Sequence, residues 1–294
     1  MSVNLSMSAN SSPVPLVESG AMKKSGMSRG QKLLFFVTAW LICLMPFLFW
    51  WNTWFGRKLS DQQLNEYLHD TKKPRHIQQA LVQVGERITR RDTTAKQWYP
   101  ELVSLAADPV EEVRNTDAWV MGQDTTGVGF HEALLKMLND PSPMVRGNAA
   151  LSLVRFGDAS GHAQIVALLQ PAEISSPQSG RIVDSDRPGT SIHQNGLIAK
   201  LRYGQATEEI RSPIPGRIGS VAGSGANIAA GAEIAVVDPS TEQVWEALRA
   251  LYLIGQPEDL PAITPYERDL PDISNDVRQQ AMETEKAIRG RGSR

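Results

Sequence analysis

Cysteine is almost absent from this chain of 294 residues. The single cysteine, Cys43, lies inside the most apolar segment, so the rest of the chain has neither an intramolecular disulfide nor a cysteine metal site. An excess of charge of either sign is absent too, because 30 Lys and Arg residues are balanced by 32 Asp and Glu residues. The formal net charge of −2 therefore predicts no nucleic-acid partner.

Grouped metal ligands and catalytic residues are also lacking. The glycine-rich run over 219–231 does not end in the Gly-Lys-Ser/Thr of a phosphate-binding loop. No catalytic triad and no convincingly spaced carboxylate pair is found. The sequence thus predicts a chain that is not an enzyme and holds no metal. The histidines occur singly, without the His-x-His element of zinc peptidases, at His69, His76, His131, His162 and His193.

One long apolar run is present. It reads LLFFVTAWLICLMPFLFWWNTWF, and no charged residue occurs between Lys32 and Arg57. As a helix this run would cross a hydrocarbon layer of about 30 Å, so we predict a single transmembrane helix over 31–56. The Ser-rich residues 1–30 predict a disordered tail. Lys and Arg are more frequent before the run than after it. This bias predicts a cytoplasmic N-terminus and extracytoplasmic C-terminal domains, as in a bacterial inner membrane and periplasm.

An internal repeat follows the apolar run. LVSLAADPVEEVRNTDAWVMG (102–122) and LLKMLNDPSPMVRGNAALSLV (134–154) align at a constant offset of 32 residues. In each unit an apolar helix ends at Asp-Pro, because proline cannot continue it, and a second helix begins with Val-Arg. We therefore predict repeated helix pairs. The aligned polar positions are Asp108 with Asp140 and Arg114 with Arg146.

This Asp-Pro…Val-Arg…Ala pattern resembles the HEAT repeat family, in particular its short bacterial form. The resemblance covers residues 60–170 and 240–289, and a basic tail over 290–294 follows. It implies a helical solenoid whose concave face binds protein. It also implies that the repeated Asp and Arg residues pair between neighbouring units and are structural.

A second repeat interrupts the helical pattern. ISSPQSGRIVDSDRPGTSIHQNGLIAKL (174–201) aligns with IRSPIPGRIGSVAGSGANIAAGAEIAVV (210–237) at an offset of 36 residues. Each Pro-x-x-Gly favours a tight turn between short strands. We predict that residues 172–239 form a β domain inserted into a loop of one helical repeat, where added length costs little entropy. The aligned turn residues are Pro177 with Pro213 and Gly180 with Gly216.

The Ser-Pro-x-x-Gly-Arg-Ile pattern of this domain resembles the biotinyl/lipoyl-like barrel-sandwich family, which includes membrane-fusion or periplasmic adaptor proteins. Carrier members place a modified lysine eight residues before the second proline, and Gln205 occupies that position here. Because an amide cannot accept biotin or lipoate, no cofactor is predicted. Lys200, five residues earlier, is interpreted as an exposed strand lysine. The predicted partner-binding hairpin tip consists of Tyr203, Gly204, Gln205 and Ala206.

Together the patterns predict a multidomain chain with a single transmembrane helix, an all-α HEAT-like solenoid and an inserted all-β barrel-sandwich domain. The predicted function is a membrane-anchored, non-enzymatic scaffold that binds protein partners in a membrane or envelope complex. One alternative is a periplasmic adaptor subunit of a transport, efflux or secretion system, although adaptors usually have a long helical hairpin where this chain has a short turn. The other alternative is a prosthetic-group carrier, modified on Lys200, or a lyase-type enzyme.

Overall fold

The computed structural model describes residues 30, 35–42, 44–45, 58–270 and 273–292. The chain divides into two compact units, Met1–Lys58 and Leu59–Arg294. In the first unit, residues 30, 35–42 and 44–45 are helical. The predicted disordered tail lies outside the described residues, apart from Gly30.

The predicted transmembrane helix over 31–56 is wrong as far as this segment is described. No helix among the described residues is long and apolar enough to cross a membrane. Residues 31–34, 43 and 46–56 lie outside the described residues. A run of apolar residues shows that a segment is hydrophobic, but it does not fix the length of a continuous helix. The predicted single-pass membrane localisation is therefore corrected together with the predicted helix.

In the second unit the helices follow one another in pairs, and in each pair the second helix is longer than the first. The second helices pack on each other in chain order, which is the stacking of a solenoid. The pairs are α1 (Asp61–Leu68) with α2 (Pro74–Thr89), α3 (Tyr99–Leu105) with α4 (Glu111–Met121), α5 (Phe130–Met137) with α6 (Pro143–Arg155), α7 (His162–Ala167) with α8 (Thr241–Ile254), and α9 (Leu260–Ile263) with α10 (Asn275–Gly292).

Local sequence sets where several of these helices begin. The hydroxyls of Ser60, Ser142 and Ser240 each accept a hydrogen bond from the backbone N–H three residues later. Such N-caps satisfy amides that have no partner within the helix. In α6 the cap is followed at once by Pro143, whose missing N–H costs nothing in the first turn.

The last helix extends further than the sequence predicts. It continues to Gly292, so residues 290–292 belong to α10 and not to a basic tail. Arg291 donates hydrogen bonds to the carbonyl oxygens of Tyr252 (2.7 Å) and Gly255 (2.9 Å) at the end of α8. A cation at a helix C-terminus satisfies exposed carbonyl groups and complements the helix dipole, which explains why this basic segment is ordered.

Between α7 and α8 the chain forms eight strands: β1 (Ala172–Ser175), β2 (Gly180–Ser185), β3 (Ser191–Ile192), β4 (Leu197–Tyr203), β5 (Ala206–Arg211), β6 (Gly216–Val221), β7 (Asn227–Ile228) and β8 (Glu233–Pro239). They build two antiparallel sheets, in the orders β1-β8-β6-β3 and β5-β4-β2-β7. Each sheet therefore contains two strands from each half of the duplicated sequence.

The register of the two sheets reproduces the sequence duplication. Ile174 lies opposite Ala235 in one sheet, and Ile210 lies opposite Ala199 in the other. Both pairs are related by the offset of 36 residues seen in the sequence. The strand core, which contains Ile182 and Ile218 at equivalent positions, is separate from the helical core.

The predicted fold class needs a second correction here. The second unit is a mixture of helices and small antiparallel sheets, and the strands do not form a clear barrel-sandwich. The reason is geometric: β3 and β7 have two residues each, so the ladders that would close the ends are very short. A lipoyl-like barrel is therefore not shown, whereas the helical repeats fit a solenoid.

Candidate functional site

Several second helices of the stack expose large side chains, and we call the surface that they contribute to the second-helix face. Val82 and Trp119 are both 42% exposed and Leu253 is 63% exposed. Trp119 and Leu151 occupy equivalent positions of two repeats, 32 residues apart. The face is defined by Val82 of α2, Trp119 of α4, Leu151 and Arg155 of α6, Glu246, Arg249 and Leu253 of α8, and Gln280 and Glu283 of α10.

Packing between neighbouring second helices positions these groups. A Cβ added to Gly85 of α2 would lie 3.2 Å from Cζ3 of Trp119, so the missing side chain gives the indole ring room against α2. Arg155 Nη1 donates to Gln123 Oε1 (3.0 Å), which links the end of α6 to the end of α4. Contacts of this kind hold the face in shape without a ligand.

The C-terminal half of the second-helix face contains a cleft of about 290 Å³ between α6, α8 and α10. Charges of both signs line this cleft beside the apolar Leu253. The Arg249 guanidinium lies 4.5 Å from the centre of the Trp245 ring and 3.5 Å from Glu246 Oε1. Apolar groups surrounded by paired charges and a cation on an aromatic ring are typical of surfaces that bind protein.

The repeated Asp and Arg residues lie at the turns between first and second helices. Arg114 donates from Nε (2.6 Å) and Nη2 (2.9 Å) to the carboxylate of Asp140 in the next repeat. Burial alone would raise the pKa of Asp140, but hydrogen bonds from Arg114 and the Ser142 amide lower it overall. Asp108 accepts from the Val110 amide at 2.8 Å. The structure thus places these residues between repeats, away from the second-helix face.

The turn residues of the two β halves have equivalent surroundings. Ser176 and Ser212, which precede Pro177 and Pro213, are buried, and each hydroxyl donates to a carbonyl two residues later at 2.6 Å. The following glycines start β2 and β6. A Cβ on Gly180 would lie 2.6 Å from the Arg202 carbonyl oxygen, and one on Gly216 would lie 1.8 Å from the Asp238 carbonyl oxygen. Only glycine fits where the strands cross so closely.

The predicted hairpin tip lies at the end of β4 and β5. Tyr203 is paired with Ala206, and Gly204 and Gln205 form the turn. Gly204 has a φ of +56°, a conformation that glycine adopts without strain. Both turn residues are exposed. Lys200 lies on β4 between Asp184 of β2 and Glu209 of β5 in the ladder.

Three of the histidines have carboxylate partners, which explains them as structural residues. The bonds are His76 Nδ1 to Asp70 (2.9 Å), His131 Nε2 to Asp158 (2.7 Å) and His162 Nε2 to Asp259 (2.8 Å). Within the described ranges no group of three or more His, Cys, Asp or Glu residues is arranged to hold a metal ion.

Two features were missed by the sequence reasoning. Asp117 of α4 is completely buried and neither carboxylate oxygen has a hydrogen-bond partner. In addition, the turn before β4 contacts the start of α4: Gln194 donates to Glu111, and Asn195 Nδ2 donates to Glu112 Oε1 at 3.0 Å. The sequence signal for the second feature is that Gln194 and Asn195 replace Ala and Gly of the other half.

Comparison with known proteins supports the helical part of this description. The HEAT repeat model matches residues 132–160, which comprise most of α5 and all of α6. No curated protein matches the chain. The match and the stacked helix pairs support a HEAT-like solenoid, and the repeat fold indicates a protein-interaction scaffold.

Three solved structures show weak similarity. A designed armadillo repeat protein in complex with the peptide (KR)4 has a TM-score of 0.40 and 16% identity, covering 76% of this chain and 80% of that chain. A second designed armadillo repeat protein has a TM-score of 0.39 with the same identity and coverage. A multi-domain long-chain acyl-CoA carboxylase has a TM-score of 0.23 and 15% identity over 33% of this chain, which spans 10% of the carboxylase chain.

Proposed function

We propose that this protein is a scaffold that binds an extended segment of a partner protein along the second-helix face. The observation that carries the proposal is the set of exposed apolar side chains on three second helices, Val82 of α2, Trp119 of α4 and Leu253 of α8, with the partly exposed Leu151 on α6. Exposed apolar patches on a folded chain mark interaction sites.

The composition of the face fits a protein partner better than a nucleic acid. Trp and Arg are enriched at the centres of protein interfaces because they combine large apolar area with directional polar groups. The cations Arg155 and Arg249 have neighbouring polar or acidic partners in Gln123 and Glu246, so the face has no excess of positive charge that would attract phosphates. Because the helices are already ordered, binding would cost little conformational entropy on the scaffold side.

The β domain has a secondary role in this proposal. Its exposed hairpin tip, Tyr203 to Ala206, is a second contact for the partner. The chain then acts by holding proteins together and is not an enzyme. Gln205 at the tip supports this assignment, since its amide is not a nucleophile for attachment of a prosthetic group.

The test selects linear peptides that bind the full-length protein from a displayed library, with the C-terminus of each peptide fused to the display carrier. We expect Trp119→Ala and Leu253→Ala to weaken the selected peptides by about tenfold or more, as truncation of an interface anchor does. Val128→Ala is the matched control, because Val128 is 87% exposed but precedes α5, outside the second-helix face. Peptides that bind both variants as tightly as the wild type would refute the proposed surface.

A further inference from the structure

A cavity of about 410 Å³ lies where the β domain joins the solenoid. Its lining combines apolar groups, among them Pro171 and Ile214, with four polar side chains: Arg146 of α6, Gln164 of α7, Gln243 of α8 and the exposed Gln170. The polar groups of this cavity are incompletely satisfied, and the reason lies in how the β domain interrupts the repeats.

Arg146 makes half as many hydrogen bonds as Arg114, which occupies the equivalent position of the preceding repeat. Arg114 donates from Nη1 to the carbonyl oxygens of Asp108 and Pro109, and from Nε and Nη2 to the Asp140 carboxylate. Arg146 repeats the first set, with Nη1 at 2.6 Å from the Asp140 carbonyl oxygen and 2.9 Å from that of Pro141. Among the described residues, no carboxylate accepts a hydrogen bond from Nε or Nη2 of Arg146.

The missing carboxylate is explained by the insertion. Leu134, Met137 and Leu138 of one repeat correspond to Ile165, Leu168 and Leu169 of the next, and all six are buried. The turn that follows in the preceding repeat, Asp140-Pro141-Ser142, recurs as Asp238-Pro239-Ser240 directly before α8. The β domain therefore separates the aligned aspartate from the end of α7, and Pro171, which immediately precedes β1, lines the cavity instead.

Two acceptors beside Arg146 also lack partners. Gln243 Nε2 donates to the Leu168 carbonyl oxygen at 2.9 Å, which fixes the orientation of the amide. Its Oε1 is buried and without a hydrogen bond, and the residue is only 9% exposed. Gln164 Oε1 is buried and unpartnered as well. A buried acceptor without a donor is costly, so these oxygens favour a ligand that supplies N–H groups.

We propose that this cavity binds a carboxylate flanked by peptide N–H groups. The planar guanidinium of Arg146 would donate hydrogen bonds from Nε and Nη2 to the carboxylate, as Arg114 donates to Asp140. The amide groups of the ligand would donate to Gln164 and Gln243, and a small aliphatic side chain would contact Ile214. The end of a peptide chain and an internal acidic residue both offer this chemistry.

The test titrates the full-length protein with three blocked dipeptides and follows binding by calorimetry. N-acetyl-Ala-Ala carries an α-carboxylate, N-acetyl-Ala-Glu-amide carries only a side-chain carboxylate, and N-acetyl-Ala-Ala-amide carries none. We expect at least one of the first two to bind about tenfold or more tighter than the third, because the charged hydrogen bonds are lost with the carboxylate. Which of the two binds identifies the source of the group. Equal binding of all three, or no binding by any, would overturn the proposal.

Variants separate recognition from folding. Arg146→Gln should abolish the preference for a carboxylate, whereas Arg187→Gln, at an exposed position in the β2–β3 loop, should retain it. Pro171→Asp should also abolish the preference while leaving Arg146 in place, because Pro171 lines the cavity and a carboxylate introduced there repels the carboxylate of the ligand. A Pro171→Asp protein that is folded by circular dichroism and still prefers the carboxylate would contradict the assignment. Displayed peptides can bind this cavity through internal acidic residues, so each selected peptide is also tested against Arg146→Gln. A peptide whose binding is unchanged in that variant does not use the cavity, which keeps the two proposals distinguishable.

Discussion

At the scale of single residues, position 117 departs from the repeat in carrying a buried acid. The aligned residue of the next repeat is Ala149, and both side chains are completely buried. Burial in apolar surroundings, and then the nearby charge of Asp108, raise the pKa of Asp117 well above its usual value. A carboxyl group without partners costs folding free energy, and more so when it is ionised.

We expect Asp117→Ala to stabilise the protein at pH 7 by about 1–3 kcal/mol, the usual cost of an unpaired buried polar group. The folded-state pKa lies above the unfolded value of about 3.9, so the penalty is small below that pH and grows as the pH rises toward the folded pKa. Urea unfolding at pH 4 and pH 7 should therefore show the larger gain at pH 7. Asp184→Ala, at an exposed strand position, is the control. A variant less stable than the wild type at pH 7 would show that Asp117 has a partner.

At the scale of elements, the repeats made much of the fold predictable. The Asp-Pro turns and Val-Arg starts predict α3 to α6 close to their observed bounds, because helix ends depend on local backbone chemistry. The duplicated Pro-x-x-Gly turns likewise predict that β2 and β6 are equivalent. The exchange of strands between the halves was not predictable, because strand pairing depends on contacts far apart in the sequence.

The start of β6 offers a test of this close pairing. Gly216→Ala should destabilise the β domain by about 1–3 kcal/mol, since the added Cβ overlaps the backbone of β8. Gly223→Ala is a matched control within the same domain, because no atom lies within 4 Å of a Cβ added there. Hydrogen exchange of the strand amides would measure the local free energy of unfolding. Equal protection in the two variants would contradict the observed strand crossing.

At the scale of the whole second unit, a small polar contact joins the β domain to the solenoid. Glu111 accepts from Ser142 Oγ (2.5 Å) and from Gln194, so one carboxylate links α4, the turn before α6 and the β domain. Charged acceptors make stronger hydrogen bonds than neutral ones. Met144 of α6, which packs against the strand core, adds an apolar contact.

Replacing two residues of the first β half by those at the equivalent positions of the second half should weaken this junction. The double variant Gln194→Ala with Asn195→Gly reproduces Ala230 and Gly231, and we expect amide exchange in the 193–196 turn to rise about tenfold as two hydrogen bonds are lost. Protection of the strand core should not change. Gln205→Ala, at the exposed hairpin tip, is the control. Unaltered exchange in the turn would mean that the Gln194 and Asn195 side chains do not stabilise the junction.

The sequence by itself determined the local and repeated features: the helix pairs, the duplicated strands, the place of the insertion and the Asp and Arg positions. These follow from backbone chemistry and periodicity, which act over a few residues. Only the tertiary structure decided which apolar groups stay exposed, that Asp117 is buried without a partner, and that Arg146 lacks the carboxylate its repeat implies. It also overturned the single-pass localisation and the barrel-sandwich. Burial, sheet closure and ion pairing arise from residues that meet only when the chain is folded.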